Sequence, residues 1–96
     1  MTFPEFTATL SHSSPPSVSS ALVALWHDAK GDWNAAHATA QDIEDATGAW
    51  LHAYLHRKEG DEGNAAYWYR RAGKPVARDG LDAEWTRIVT ELLDRS

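Results

Sequence analysis

Two segments of this chain match each other when one is shifted by 29 residues along the sequence. The matched positions are Leu22 with Leu51, Ala24 with Ala53, His27 with His56 and Gly31-Asp32 with Gly60-Asp61; after one extra residue, Asn34-Ala35-Ala36 matches Asn64-Ala65-Ala66. A repeated unit of about thirty residues is typical of helical hairpins, which bury their apolar faces by stacking on one another. The repeat therefore predicts two stacked hairpins of similar structure.

The spacing of apolar residues within each unit is that of a helix. The stripe of the first predicted helix consists of Val18, Leu22, Leu25 and Ala29, and no segment has the alternation of a strand. A glycine can close a helix in the left-handed conformation, and an aspartate can cap the helix that follows. Gly31-Asp32 and Gly60-Asp61 therefore predict the turns of the two hairpins.

These signals together predict an all-α fold of two stacked hairpins and a C-terminal capping helix. We predict five helices: the first begins at about residue 18, the second covers 33–44, the third covers 49–59, the fourth ends at 72 and the fifth begins at 79 or 80. The repeats are then at about 18–45 and 46–74, and the capping helix is at 80–95. Together they form one helical domain, 18–96. Residues 1–17 are rich in Ser, Thr and Pro. They are expected to form an extended arm that is either loosely ordered or laid across the helices by Phe3 and Phe6.

Composition excludes several classes of function. The net charge of −5 argues against non-specific nucleic-acid binding, and the absence of Cys removes disulfides and thiolate metal sites. The first residues lack the pattern of a signal peptide, and the longest apolar run, 21–26, is too short for a membrane span, so a cytoplasmic protein is expected. Six of the nine Lys and Arg lie between Arg57 and Arg78, where a small anionic ligand would be expected.

The hairpin pattern resembles a known family of repeats. A hairpin with Gly-Asp at its turn and small residues in its second helix is similar to a tetratricopeptide repeat. The segment "GNAAYWYRRAG" is similar to the end of a Sel1-like repeat. The resemblance covers residues 18–74. The blocks "WNAAHATAQ" and "HAYLHRKEGDEGNAAYWYRRAG" also resemble a small bacterial protein family, to which no activity is attached. The resemblance implies an interaction fold, and a fold alone does not define a function.

The histidines are the first candidate site. His52 and His56 lie four residues apart and Glu59 follows on the same helix face, which is a spacing suited to Zn, Ni or Fe. The metalloprotease motif would need Glu directly after the first His, where Ala53 stands. Alternatively, His27, His52 and His56 line the concave face of the repeats and contact a partner or small ligand. His37 belongs to a second helix and is expected to lie elsewhere.

Tyr67 and Arg71 are a second candidate binding surface, because they share a helix face and can form a cation–π pair. The cations near this helix end are also favoured by the helix dipole, so nucleic-acid binding is not predicted. The function favoured by the sequence is non-enzymatic binding of a protein or a small anionic ligand. The alternatives are a metal- or small-ligand-binding protein that uses His52, His56 and Glu59, with a divalent metal as its cofactor, and a structural homodimer joined through exposed aromatic residues.

Overall fold

The computed structural model describes residues 1–95, and six α-helices account for most of that range. The helices are α1 (Phe3–Ala8), α2 (Ser20–Ala29), α3 (Trp33–Gln41), α4 (Ala46–Lys58), α5 (Glu62–Ala72) and α6 (Leu81–Asp94), with a short 3₁₀ turn at Thr9–Ser11. No strand occurs within residues 1–95. The predicted all-α fold is confirmed; Ser96, the last residue of the predicted domain, lies outside the described residues.

The two Gly-Asp pairs form the turns that the sequence predicts. Gly31 and Gly60 have φ angles of 83° and 89°, in the left-handed region that glycine adopts most easily. The side chain of Asp32 accepts a hydrogen bond from the backbone N–H of Ala35 at the start of α3. Asp61 caps α5 in the same way. These turns allow α2 to pack on α3 and α4 to pack on α5.

The connection between the hairpins differs from the prediction. The third helix was expected to begin near residue 49, but Asp45 caps α4 and places Gly48 inside its first turn. A Cβ at Gly48 would lie 1.8 Å from the backbone oxygen of Ile43. The glycine is required here by close approach of two backbones, whereas the sequence alone suggests a helix break. The preceding helix α3 is correspondingly shorter than 33–44 and ends at Gln41.

The contacts among helices are consistent with two hairpins and a covering helix. α3 packs against α4, so the second helix of one pair meets the first helix of the other. α6 packs on α2 and α4, and α1 packs on α6. The apolar core is continuous through α2, α4 and α6. Most of α4 is buried, which makes it the central helix of the fold.

Residues 1–17 are not the extended arm that was expected. Thr2 and Glu5 form a reciprocal capping box that starts α1, with Pro4 in its first turn. Phe6 is fully buried, and the rings of Phe3 and Phe6 lie 6.0 and 6.2 Å from the ring of Trp85. The two Phe therefore do pack across the helices, but they do so from a short helix. Burial of these rings outweighs the turn-forming composition of the segment.

A buried carboxylate connects α2 to α4. Asp28 is 3% exposed, and it accepts hydrogen bonds from the hydroxyl of Tyr54 at 2.9 Å and from the ammonium of Lys58 at 2.9 Å. Burial, followed by the charge of Asp28, raises the pKa of Tyr54 well above its usual value, which keeps the phenol protonated as a donor.

A second buried carboxylate connects α6 to α4 and α5. Glu84 is completely buried, and it accepts hydrogen bonds from Arg57 at 2.8 Å and from the hydroxyl of Tyr69 at 2.5 Å. Burial and the hydrogen bond to Glu84 raise the pKa of Tyr69. Both carboxylates thus have a cation and a phenol as partners, as buried charges require.

Candidate functional site

Three histidines from two helices come together between the hairpins. His37 comes from α3, and His52 and His56 come from α4. One ring nitrogen of each lies within 4.8 Å of those of the other two. The ring centroids are separated by 5.0 Å for His37 and His52, 5.4 Å for His37 and His56, and 6.0 Å for His52 and His56. We call His37, His52 and His56 the histidine cluster.

Local helix geometry and packing between hairpins both contribute to the cluster. His52 and His56 are four residues apart, so they project from the same face of α4. His37 is brought to this face because α3 packs against α4. The expectation that His37 lies elsewhere is wrong, because it did not include the packing of α3 on α4.

Two indoles enclose the cluster. Trp33 stacks on His37 with ring centroids 4.8 Å apart, and Trp68 stacks on His52 at 4.3 Å. The indole N–H of Trp33 donates to the backbone oxygen of Leu55 at 2.9 Å, which fixes the orientation of that ring. The imidazoles are therefore held between large apolar surfaces and are partly shielded from water.

His52 contains an orphan polar atom. The residue is 7% exposed, and its Nδ1 has no hydrogen-bond partner. Within residues 1–95 it is the only buried side-chain nitrogen or oxygen of which this is true. Such an atom destabilises the folded state by about 1–3 kcal/mol, and in a native protein it requires an explanation. A bound ligand is one explanation.

The pKa shifts of His52 and His37 favour the form that binds a metal ion. Burial, followed by repulsion from His37 and His56, lowers the pKa of His52. Burial, followed by repulsion from His56, also lowers the pKa of His37, while Glu59 opposes this shift. Both imidazoles are therefore neutral at pH 7, which is the form that can donate a lone pair to a metal ion.

Glu59 contacts the cluster through one of its members. Its carboxylate lies 2.6 Å from Nδ1 of His56. His56, Glu59 and Asp61 also have potential ligand atoms within 4.8 Å of one another, but the two carboxylates are exposed. His52 and Glu59, which the sequence assigns to one metal site with His56, therefore fall in two different groups that share His56.

The remaining predicted residues lie apart from the cluster or at its edge. His27 packs its ring against Trp26 at 5.4 Å and does not join the other histidines. Tyr67 and Arg71 form the predicted pair: the guanidinium lies 5.8 Å from the phenol ring and donates to its hydroxyl at 3.0 Å. Arg71 also lies 5.2 Å from the centroid of Trp68, next to His52.

Three of the six basic residues between 57 and 78 are engaged in ion pairs. Arg57 and Lys58 bind the buried carboxylates described above, and Lys74 lies 3.4 Å from Glu91.

A cavity of about 320 Å³ adjoins His52, Trp68 and Arg71. Larger cavities of about 450 and 520 Å³ lie away from the cluster, the first of them beside Asp28 and Lys58.

Comparison of the chain with protein-family models, with characterised proteins and with solved structures gives no significant match. The resemblance to tetratricopeptide and Sel1-like repeats therefore remains a prediction. Among residues 1–95, no helix combines the length and the apolar character needed to cross a bilayer.

Proposed function

We propose that this protein binds a divalent transition-metal ion with His37, His52 and His56 as its ligands. Imidazole nitrogens suit Zn²⁺, Cu²⁺ and Ni²⁺, whereas Ca²⁺ and Mg²⁺ prefer oxygen ligands. The convergence of three ring nitrogens within 4.8 Å supports a site of this kind. The sequence suggested two of these histidines with Glu59, and the proposed ligand set replaces Glu59 with His37.

The spacing of the rings is compatible with a metal ion after small movements. Tetrahedral Zn²⁺ with bonds of about 2.1 Å requires ligand nitrogens roughly 3.4 Å apart. The nitrogens of the cluster need to move together from separations of up to 4.8 Å, which rotations of the three side chains can supply. Three protein ligands leave the fourth position for water or a small ligand.

The observation that carries the proposal is the orphan Nδ1 of His52. Metal coordination through this atom would satisfy a buried polar group that has no partner in the described protein. The ligands come from α3 and α4, which belong to different hairpins. Metal binding is therefore expected to stabilise the contact between the hairpins as well as the site itself.

Calorimetric titration of protein without a polyhistidine tag tests the proposal. We expect one Zn²⁺ per chain, and we expect His37→Ala and His52→Leu to remove binding. His27→Ala is the matched control, because His27 lies outside the cluster and should retain wild-type affinity. The proposal is contradicted if the wild-type protein does not bind Zn²⁺, Ni²⁺ or Cu²⁺, or if His37→Ala binds as tightly as the wild type.

A further inference from the structure

The contact between His56 and Glu59 determines which nitrogen of His56 is available. The Glu59 carboxylate lies 2.6 Å from Nδ1. The His56 side chain is only 12% exposed, so this contact lies at the edge of the core and not fully in solvent. A carboxylate can only accept, so Nδ1 must carry the proton. In the neutral ring the lone pair is then on Nε2.

We infer that Glu59 is a positioning residue for the metal site and not a ligand: it holds His56 so that the ion is coordinated through Nε2. This inference rests on the proposed function. Metal-binding histidines commonly donate their other ring N–H to a carboxylate, which fixes the tautomer and the ring orientation and increases the basicity of the ligand. The pair of His56 and Glu59 has this arrangement.

The competing arrangement places the ion between His56, Glu59 and Asp61. It is disfavoured because Nδ1 of His56 cannot bind the ion and keep its hydrogen bond to Glu59. The carboxylate of Asp61 is also engaged, since it accepts from the backbone N–H of Asn64 as the cap of α5. An ion at this exposed position would break the hydrogen bond between His56 and Glu59, whereas an ion in the histidine cluster preserves it.

The effect of Glu59 should be confined to one ligand. Within the part of the chain that the structure describes, the rings of His37 and His52 make no hydrogen bond with a carboxylate or a carbonyl. Only His56 has such an orienting partner. Removing the Glu59 charge should therefore weaken the metal site without removing any ligand.

The first test is Zn²⁺ titration of Glu59→Gln. We expect the affinity to fall by about 10- to 100-fold with the stoichiometry unchanged, as for other outer carboxylates of metal sites. Glu62→Gln removes the same charge from an exposed residue nearby and serves as the matched control. Long-range ¹H–¹⁵N spectra of the Zn²⁺ complex provide a second measurement, because they identify the metal-bound nitrogen of each ring. For His56 we expect Nε2.

The outcomes separate this inference from the proposed function. If wild-type protein binds Zn²⁺ through the cluster but Glu59→Gln and Glu59→Ala both weaken binding less than about threefold, Glu59 is not an orienting residue. If the spectra show the metal on Nδ1 of His56, the carboxylate arrangement is correct and the inference is overturned. Failure of wild-type protein to bind any of the metals, in contrast, overturns the proposed function itself.

Discussion

The two faces of α4 differ in whether their buried polar groups have hydrogen-bond partners. One face carries Tyr54, Arg57 and Lys58, which donate to the buried carboxylates of α2 and α6. The other face carries His52 and His56. The carboxylates each have at least two partners, whereas the buried Nδ1 of His52 has none.

This difference distinguishes groups that hold the fold together from groups that are available to a ligand. A buried carboxylate whose bonds are all made specifies how helices pack and has no capacity left for a ligand. A buried imidazole with an unused nitrogen destabilises the fold unless something binds it. The cavity beside Asp28 and Lys58 is larger than the one beside His52, yet its buried polar groups are already paired. A buried polar atom without a hydrogen-bond partner is here a better guide to the site than cavity volume.

The largest expected effect is on the carboxylate face. Glu84→Ala leaves the buried Tyr69 hydroxyl without an acceptor and removes the ion pair with Arg57. We expect the free energy of unfolding to fall by about 3–5 kcal/mol, measured by urea denaturation of the metal-free protein. Glu44→Ala, at an exposed loop residue, should change it by less than about 0.5 kcal/mol. A loss below about 1 kcal/mol for Glu84→Ala would show that this carboxylate is not structurally important.

The histidine face should respond in the opposite direction. His52→Leu removes the orphan nitrogen and keeps an apolar side chain between His37 and Trp68. In the metal-free protein we expect the free energy of unfolding to stay the same or to rise by about 1 kcal/mol. A decrease of several kcal/mol, comparable to that for a buried ion pair, would mean that His52 has a structural role and would remove the contrast between the two faces.

The smallest expected effect is a dependence on pH. Burial lowers the pKa of His52 below its unfolded value of about 6.5, so the unfolded chain binds a proton before the folded chain does as pH falls. The contribution of neutral His52 to the free energy of unfolding is present above about pH 6.5. It is lost as the pH falls toward the pKa of His52 in the folded protein.

Denaturation of the wild type and His52→Leu with a chelator present tests this sign. The stability advantage of His52→Leu should grow between about pH 7.5 and pH 5.5. An advantage that stays constant over this range would show that the pKa of His52 is the same in both states, and burial would then not affect its charge.

The helical fold could be read from the sequence because its signals are local. Gly31-Asp32 and Gly60-Asp61 form turns and caps by interactions within a few residues, and the repeat reveals both turns at once. The helix at the N-terminus was missed because burial of Phe6 against other helices outweighs local composition. The capping box of Thr2 and Glu5 was the signal that could have predicted it.

The candidate site could be predicted only in part for a similar reason. The spacing of His52 and His56 places them on one face of a helix, so this pair is visible in the sequence. His37 joins them through packing of α3 on α4, which no local pattern encodes. The contacts of Glu59 with Nδ1 of His56 and of Trp68 with His52 likewise depend on how helices and side chains are arranged in three dimensions.

The most direct test of the account is a crystal structure of the Zn²⁺-saturated protein, with anomalous diffraction recorded at the zinc absorption edge. We predict one zinc ion per chain, bonded to ring nitrogens of His37, His52 and His56, with the Glu59 carboxylate hydrogen-bonded to His56 and not bonded to the metal. An ion bound by Glu59 and Asp61, or a histidine cluster without zinc at saturating concentration, would contradict it.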